Sequence, residues 1–266
     1  MKIKTSAQRG LGGFAILVVA AILGVAMAQM EEGVNVSFAL PESSVTLNEP
    51  IFVDFSIHNG LTESIRFDLG KDLKTNFDFM ITHPDGSKVQ APRLPTGGIG
   101  QIGKRSLVPK TTYTQRLLLN EWYQINAPGE YTIEAKLTGQ IETASGKAVT
   151  PQVSGSIHLK IHTRNPDKLK KICEDLVRTT IESLTVADAI KAALILSYVQ
   201  DPVAVPYLEQ VLKQAKWGKR EAITGLGRIH NEEAIKILTA VAEGENEELK
   251  SAARAALSRL DSQPID

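Results

Sequence analysis

The sequence is poor in cysteine, with Cys173 alone among 266 residues. An intramolecular disulfide is therefore excluded, and the folded chain must be stabilised by its hydrophobic cores. Cys173 falls on an apolar helical stripe that includes Leu169 and Leu176. We therefore expect this thiol to be buried and unreactive.

An excess of charge of either sign is also absent. The chain has 30 basic and 30 acidic side chains, and three of the basic ones belong to the N-terminal segment described next. Binding to the phosphates of a nucleic acid requires a clustered basic surface. The charge balance therefore predicts no nucleic-acid partner.

Long apolar runs occur only at the N-terminus. Three basic residues among the first nine precede an apolar run over 14–25, and Ala26-Met27-Ala28 places small residues where a signal peptidase cleaves. This order predicts an export signal over residues 1–28, cleaved after Ala28, and a mature protein in the periplasm or outside a bacterium. The alternative is an uncleaved membrane anchor, because Leu11–Ala28 is about as long as the shortest spanning helix. Only in that case do we expect contact with a membrane.

Motifs of catalytic and metal centres are missing as well. The sequence has no His-Glu-x-x-His, no Gly-x-Ser-x-Gly and no paired-cysteine zinc motif. His158 and His162 are four strand residues apart, about 13 Å, which is too far for them alone to hold one metal ion. We therefore predict a protein that is not an enzyme and has no catalytic residues, metal or cofactor. An active site at the junction of the two halves described below is the alternative.

A glycine-rich segment, Thr96–Ser106, has the spacing of two nucleotide-binding motifs. Its sequence TGGIGQIGKRS contains the dinucleotide pattern Gly-x-Gly-x-x-Gly and the Gly-Lys that ends a P-loop. Both motifs need a strand before the glycines and a helix directly after them. Prolines on both sides and the strand-forming residues 111–114 argue against that helix. Arg105 also stands where a P-loop has the Ser or Thr that holds magnesium.

We therefore expect no nucleotide at this segment, and instead an irregular, exposed loop between two strands. Lys104 and Arg105 would lie at its tip, where a partner protein can reach them. A regulator or inhibitor of an exported protease, acting through such loops, is an alternative function.

From about residue 34 to residue 163 the sequence alternates with the period of strands. Apolar residues fall on one face of 51–58 and polar residues on the other, and the same alternation recurs in 131–137 and 157–162. Turn residues such as Asn59-Gly60 separate the runs. About seven to nine strands with frequent turns predict an antiparallel β-sandwich over residues 30–164.

The period becomes helical in residues 165–261. Asn165-Pro166 is a favourable helix start, with Asn as the cap and Pro in the first turn. Further helices are expected at 186–199, 202–214, 217–229, 232–242 and 246–260. Because almost no linker separates the halves, we expect them to pack at a restricted angle.

The helical half also repeats, with offsets of 30 and then 31 residues. The aligned sets are Ala192, Leu196 and Val199; Ala222, Leu226 and Ile229; and Ala253, Leu257 and Leu260. A fixed period of helix pairs predicts a short α-solenoid after the sandwich.

The repeated stretches carry a family resemblance. DPVAVPYLEQVLK, followed by GKREAITGLGRIHNEEAIKILTAVAEGENEELKSAARAAL, resembles short HEAT repeats of the lyase-like type over 186–260. Those repeats have Asp-Pro or Asn-Glu at the turn between paired helices and Ala-x-x-x-Leu in the first helix. In the other half, LNEPIFVDFSIHN and APGEYTIEAKL resemble immunoglobulin-like domains of bacterial exported proteins, including relatives of a bacterial proteinase-inhibitor family.

The resemblance implies an immunoglobulin-like sandwich followed by a HEAT-like array that binds or scaffolds another protein. The polar faces of the second helices are then the expected binding surface, on the inner side of the curve. The candidate residues there are Tyr207, Gln210, Lys213, Lys236 and Thr239. The leading hypothesis is an exported, non-enzymatic, protein-binding protein.

Overall fold

The computed structural model describes residues 33–69, 73, 75–92 and 103–261. The predicted export signal over 1–28 and most of the glycine-rich segment lie outside these residues. The described part forms strands as far as residue 162 and helices after residue 165. This confirms the predicted order of a β half followed by an α half.

The described residues of the β half form thirteen strands, several of them only two or three residues long. They are β1 (Val34–Ala39), β2 (Ser44–Thr46), β3 (Phe52–Asn59), β4 (Ile65–Asp68), β5 (Phe77–Thr82), β6 (Lys88–Gln90), β7 (Lys104–Leu107), β8 (Thr112–Leu118), β9 (Gly129–Leu137), β10 (Ile141–Thr143), β11 (Ala148–Val149), β12 (Gln152–Ser154) and β13 (Ile157–His162).

These strands form three sheets. The first has the order β12-β1-β3-β8, the second β11-β10-β4-β7 and the third β2-β13-β9-β5-β6. Most neighbouring strands are antiparallel, but β1 with β12 and β2 with β13 are parallel. Long connections rather than hairpins bring these two pairs together, which is what parallel pairing requires. The sandwich is thus mixed at two edges, where the sequence predicts an antiparallel fold.

Aromatic side chains fill the core between the first and third sheets. Phe55 of β3 and Phe77 of β5 meet edge to face, with ring centroids 5.0 Å apart. Trp122 follows a 3-10 turn at Leu119–Glu121 and lies 5.1 Å from the ring of Phe79. All four rings are buried. They account for a large part of the apolar area that stabilises this half without a disulfide.

The turn into β9 is a tyrosine corner, a feature of immunoglobulin-like sandwiches. The hydroxyl of Tyr131 donates a hydrogen bond to the carbonyl of Ala127 at 2.8 Å. Gly129 precedes it with φ of 150°, and any side chain there would collide with the ring of Pro84. The Pro-Gly-x-Tyr stretch of the sequence therefore fixes the corner through one hydrogen bond and one close backbone approach.

The α half contains six α-helices. They are α1 (Pro166–Glu182), α2 (Val186–Leu196), α3 (Val205–Gln214), α4 (Lys219–Leu226), α5 (Glu232–Ala242) and α6 (Glu247–Asp261). Polar side chains cap four helix starts. For α1 the cap is the predicted one, since Asn165 accepts a hydrogen bond from the N–H of Lys168 at 3.1 Å. No helix in the described part of the chain has the length and apolar character needed to cross a membrane.

The helices pack in two layers, with α1, α3 and α5 in one and α2, α4 and α6 in the other. Small residues bring the second layer together. A side chain added at Gly225 would lie 2.8 Å from the Cα of Ser197, at the end of α2. One added at Gly227 would lie 2.8 Å from the Cβ of Ala256 in α6. Helix α4 therefore sits against both neighbours at a distance that only glycine allows.

Polar contacts centred on Asp201 join the two halves. The buried carboxylate of Asp201 receives two hydrogen bonds from Arg164, at 2.6 and 2.8 Å, and one from Asn48 of the β half at 3.2 Å. It also accepts the N–H of Val203, which caps the 3-10 turn before α3. One side chain thus links the β half, the residues between the halves and the α2–α3 turn.

A second ion pair lies beside the first. Lys168 of α1 contacts the largely buried carboxylate of Glu49 at 2.8 Å, and Glu49 also accepts the N–H of Thr46 at 2.8 Å. Within the helical half, Arg228 lies over the ring of Tyr198 at 3.8 Å and donates to the carbonyl of Ser197. Burial lowers the pKa of Arg228, and Glu121 of the β half opposes that shift. These contacts agree with the restricted packing angle predicted from the short connection.

Candidate protein-binding groove

The groove lies between α3 and α5, and the turns before these helices set their positions. Asp201 caps the 3-10 turn Pro202–Ala204, from which α3 continues. Asn231 caps α5 by accepting the N–H of Ala234 at 2.8 Å. The apolar faces of both helices are buried, with Leu208 and Leu238 fully covered. Their remaining faces are left for the surface.

Helices α3 and α5 touch each other little, in contrast to the closely packed α4 and α6. The space between them is an open groove of about 440 Å³. Its floor is apolar, and its rim bears two acidic and two basic side chains. The floor residues are Leu212, Ile237, Ala240 and Val241, and the rim residues are Glu209, Lys213, Glu233 and Lys236.

Only some of the charged side chains on the rim form ion pairs with each other. Lys213 pairs with Glu209 one turn earlier in α3, at 2.6 Å. Glu233 and Lys236 form no ion pair with any described residue. An apolar floor with charges of both signs at its edge suits a peptide segment with apolar side chains and a polar flank.

The structure brings together two of the five helical residues predicted to bind a partner. Lys213 of α3 and Lys236 of α5 both line the groove. Tyr207 instead donates its hydroxyl to Glu174 of α1 at 3.1 Å. Desolvation, followed by the hydrogen bond to Glu174, raises the pKa of Tyr207 to about 12.

The other two helical candidates also lie away from the groove. Gln210 donates to Gln214 along α3, and the hydroxyl of Thr239 donates to the carbonyl of Ile235. The five residues therefore do not share one inner surface. Helical periodicity finds the exposed faces, but it does not show which neighbour each face meets.

The sequence predicts Lys104 and Arg105 at a loop tip, and this prediction is wrong, because both residues lie in a strand. They begin β7, which pairs with β4 so that Lys104 stands opposite Asp68. The guanidinium of Arg105 lies 5.1 Å above the ring of Tyr113. The ladder with β4 satisfies the backbone of this stretch and overrides the loop character of the preceding glycines. Residues 96–102 lie outside the described part, so the protease-regulator hypothesis stays a prediction.

Cys173 is buried, as predicted. Desolvation raises the pKa of its thiol to about 12, with a smaller contribution from Asp201 and Glu174. The thiolate is therefore scarce at neutral pH, and the side chain acts as a small apolar core residue.

A smaller cavity of about 190 Å³ lies at the junction, the location considered above for an active site. Its lining is mostly apolar, and its carboxylates come from Glu42 and Glu49. Glu49 is already engaged by Lys168 and by the N–H of Thr46. The arrangement suits an apolar group better than acid–base chemistry, which needs a carboxyl free to exchange its proton.

None of the predictions made from the sequence identifies the residues that join the two halves. Asp201-Pro202 reads as a helix-turn signature, and Asn48 reads as an ordinary turn residue. Asp201 aligns with Asn231 in the repeat, and aspartate and asparagine are equally good helix caps, so the sequence carries no signal of the contact with Arg164.

Comparison with known families adds one match. Residues 41–162 match the family model of the flagellar collar protein C N-terminal domain. The matched range begins after β1, ends with the last residue of β13 and includes none of the six helices. No curated protein matches the chain.

Solved structures show weaker likeness. A Bordetella pertussis structure described as an ApaA protein is 16% identical, over 48% of this chain and 91% of that one, with a TM-score of 0.28. A non-cellulosomal cohesin from Archaeoglobus fulgidus is 13% identical, over 51% and 94%, with a TM-score of 0.21. A ScaB type I cohesin from Pseudobacteroides cellulosolvens is 12% identical, over 50% and 95%, with a TM-score of 0.22. These scores are low, so the fold rests on the strands and helices described above.

Proposed function

We propose that this protein is an exported, non-enzymatic, protein-binding component of a bacterial cell-envelope assembly. The observation that supports it most strongly is the match of residues 41–162 to a family model named for a flagellar collar. A collar is an assembly of proteins, so a domain of that family is expected to act through contacts with other proteins. The export signal predicted over residues 1–28 is consistent with an envelope location.

We also propose that the helices form a HEAT-type array. The aligned alanines of the repeat, Ala192 in α2, Ala222 in α4 and Ala253 in α6, are all buried in the same layer. Stacked helix pairs of this kind present extended surfaces to partners. The α3–α5 groove is then the surface that binds a segment of another protein.

One substitution in the groove tests this proposal without changing the hydrophobic core. Ala240 is exposed on its floor, so Ala240→Arg fills the groove without removing any buried side chain. Ser258 is exposed near the C-terminal end of α6 in the opposite layer, and Ser258→Arg places the same side chain there. The two variants should be equally stable and differ only in the surface they block.

The measurement is co-purification from the native cell envelope under gentle conditions, followed by mass spectrometry of retained proteins. We expect the wild type and Ser258→Arg to retain the same partner, and Ala240→Arg to retain at least about tenfold less of it, because a central contact is blocked. Equal retention by all three proteins would exclude the groove. Retention of no protein by the wild type would contradict the proposed function itself.

A further inference from the structure

Opposite charges separate onto neighbouring turns at one end of the helical half. Residues 210–220, around the α3–α4 turn, contain four basic residues and no acidic one: Lys213, Lys216, Lys219 and Arg220. Residues 237–249, around the α5–α6 turn, contain four acidic residues and no basic one: Glu243, Glu245, Glu247 and Glu248. We call these the basic turn and the acidic turn.

The two turns are side by side at the same end of the layers. Arg220 and Glu248 approach to 3.7 Å across them, and both side chains are more than two-thirds exposed. On its other side, the basic turn packs through Gly218 against Ala193 of α2. The end of the helical half therefore presents one surface, with positive charge in its middle and negative charge at one edge.

Half of these eight charged side chains have an ion pair within the described residues, namely Lys213, Arg220, Glu247 and Glu248, and the other half do not. Lys219, Glu243 and Glu245 form no ion pair with any described residue. Lys216 lies 4.6 Å from the centre of the half-buried ring of Trp217, an interaction that keeps its charge. The separation of charge on this surface therefore rests on Lys216 and Lys219 in the basic turn and on Glu243 and Glu245 in the acidic turn.

A surface with adjacent positive and negative patches is complementary to itself. When two copies meet face to face about a two-fold axis that lies between the patches, each basic turn faces the acidic turn of the other copy. The contact then forms twice from one set of residues. Trp217 in the basic turn adds an aromatic side chain of the kind enriched at interface centres.

We propose that the basic and acidic turns form a docking surface for a second copy of this chain. Anionic lipid and nucleic acid are poorer occupants, because the acidic turn would lie beside their phosphates. The proposal rests on charge in the helical half and does not depend on the proposed function. A protein that binds a partner in its groove can do so as a monomer or as this dimer.

The test exchanges the charges of one turn at a time. Variant one is Lys216→Glu with Lys219→Glu, and variant two is Glu243→Lys with Glu245→Lys. Lys219 begins α4 and Glu243 follows the end of α5, so both new charges suit the local helix dipole and the folds should be kept. The matched control is Lys170→Glu with Lys171→Glu, an equal charge change at exposed positions of α1.

Sedimentation equilibrium of chains that start at Gln29, with both halves present, measures self-association. We expect the wild type and the control to dimerise, more weakly as salt is raised. Each turn variant alone should show at least about a tenfold higher dissociation constant, because like charges then face each other. An equimolar mixture of variants one and two should dimerise again, since every contact between them joins opposite charges.

Three results would overturn the proposal. The first is a wild type that remains monomeric at the highest concentration reached. The second is a mixture of the two variants that stays as monomeric as each alone. The third is binding of the wild type to vesicles of anionic lipid without self-association, which would assign the surface to a membrane.

Discussion

Asp201 shows how one residue can serve two structural tasks. Its carboxylate caps the turn before α3 and also binds Arg164 and Asn48 across the junction. Its side chain is 1% exposed, whereas that of Arg164 is 45% exposed. Loss of the carboxylate therefore removes the cap and leaves the other partners in contact with water or without an acceptor.

We predict that Asp201→Ala lowers the free energy of unfolding by about 2–3 kcal/mol. Asp201→Asn should cost roughly half of that, because an amide oxygen can still accept the N–H of Val203 and only the charge is lost. Chemical denaturation of the two variants and the wild type measures the difference. Equal losses would show that the charged contact with Arg164, and not the cap, is what stabilises the junction.

The difference in stability between the wild type and Asp201→Asn is expected to depend on pH. Burial raises the pKa of Asp201, but the hydrogen bonds from Arg164, Val203 and Asn48 outweigh it, so the net pKa lies below its usual value. A lowered pKa stabilises the folded state above the unfolded pKa of about 3.9. The stability gap between wild type and Asp201→Asn should be constant near neutral pH and shrink as pH falls below about 4.

At the scale of elements, long amphipathic segments are the ones that the sequence predicts well. The helix predicted at 232–242 is α5, and the cap and proline at 165–166 begin α1 as expected. Alternation likewise locates β3 and β9. Strands of two or three residues, such as β6 and β11, are too short to show an alternating pattern of apolar and polar residues. They form because they pair with neighbouring strands, which the local sequence does not reveal.

Gly225 in α4 tests the close packing of the second layer. Gly225→Ala should lower the free energy of unfolding by about 1–2 kcal/mol, although alanine gains roughly 1 kcal/mol in helix propensity, because the new Cβ meets the backbone of α2. Thr224→Ala in the same helix is the control and should be close to neutral. A Gly225→Ala protein more stable than wild type would mean that α2 and α4 can separate without cost.

At the scale of the whole molecule, the two halves supply different evidence. The family match lies entirely in the β half, whereas the groove and the paired turns lie in the helices. Ion pairs at Asp201 and Glu49 connect them, so a partner bound by the helices is held in a set position relative to the β half. The sequence alone predicts the two halves and two groove residues, Lys213 and Lys236, but not the groove, because α3 and α5 come from different repeats.

The central claim is that the α3–α5 groove binds another protein in the envelope. A photoreactive amino acid placed at Ala240 and, in a matched strain, at Ser258 tests it most directly in living cells. We predict that irradiation yields a cross-linked product with one partner protein from position 240 and none from position 258, and that mass spectrometry assigns that partner to the envelope. Equal cross-linking from both positions, or none from position 240, would contradict the claim.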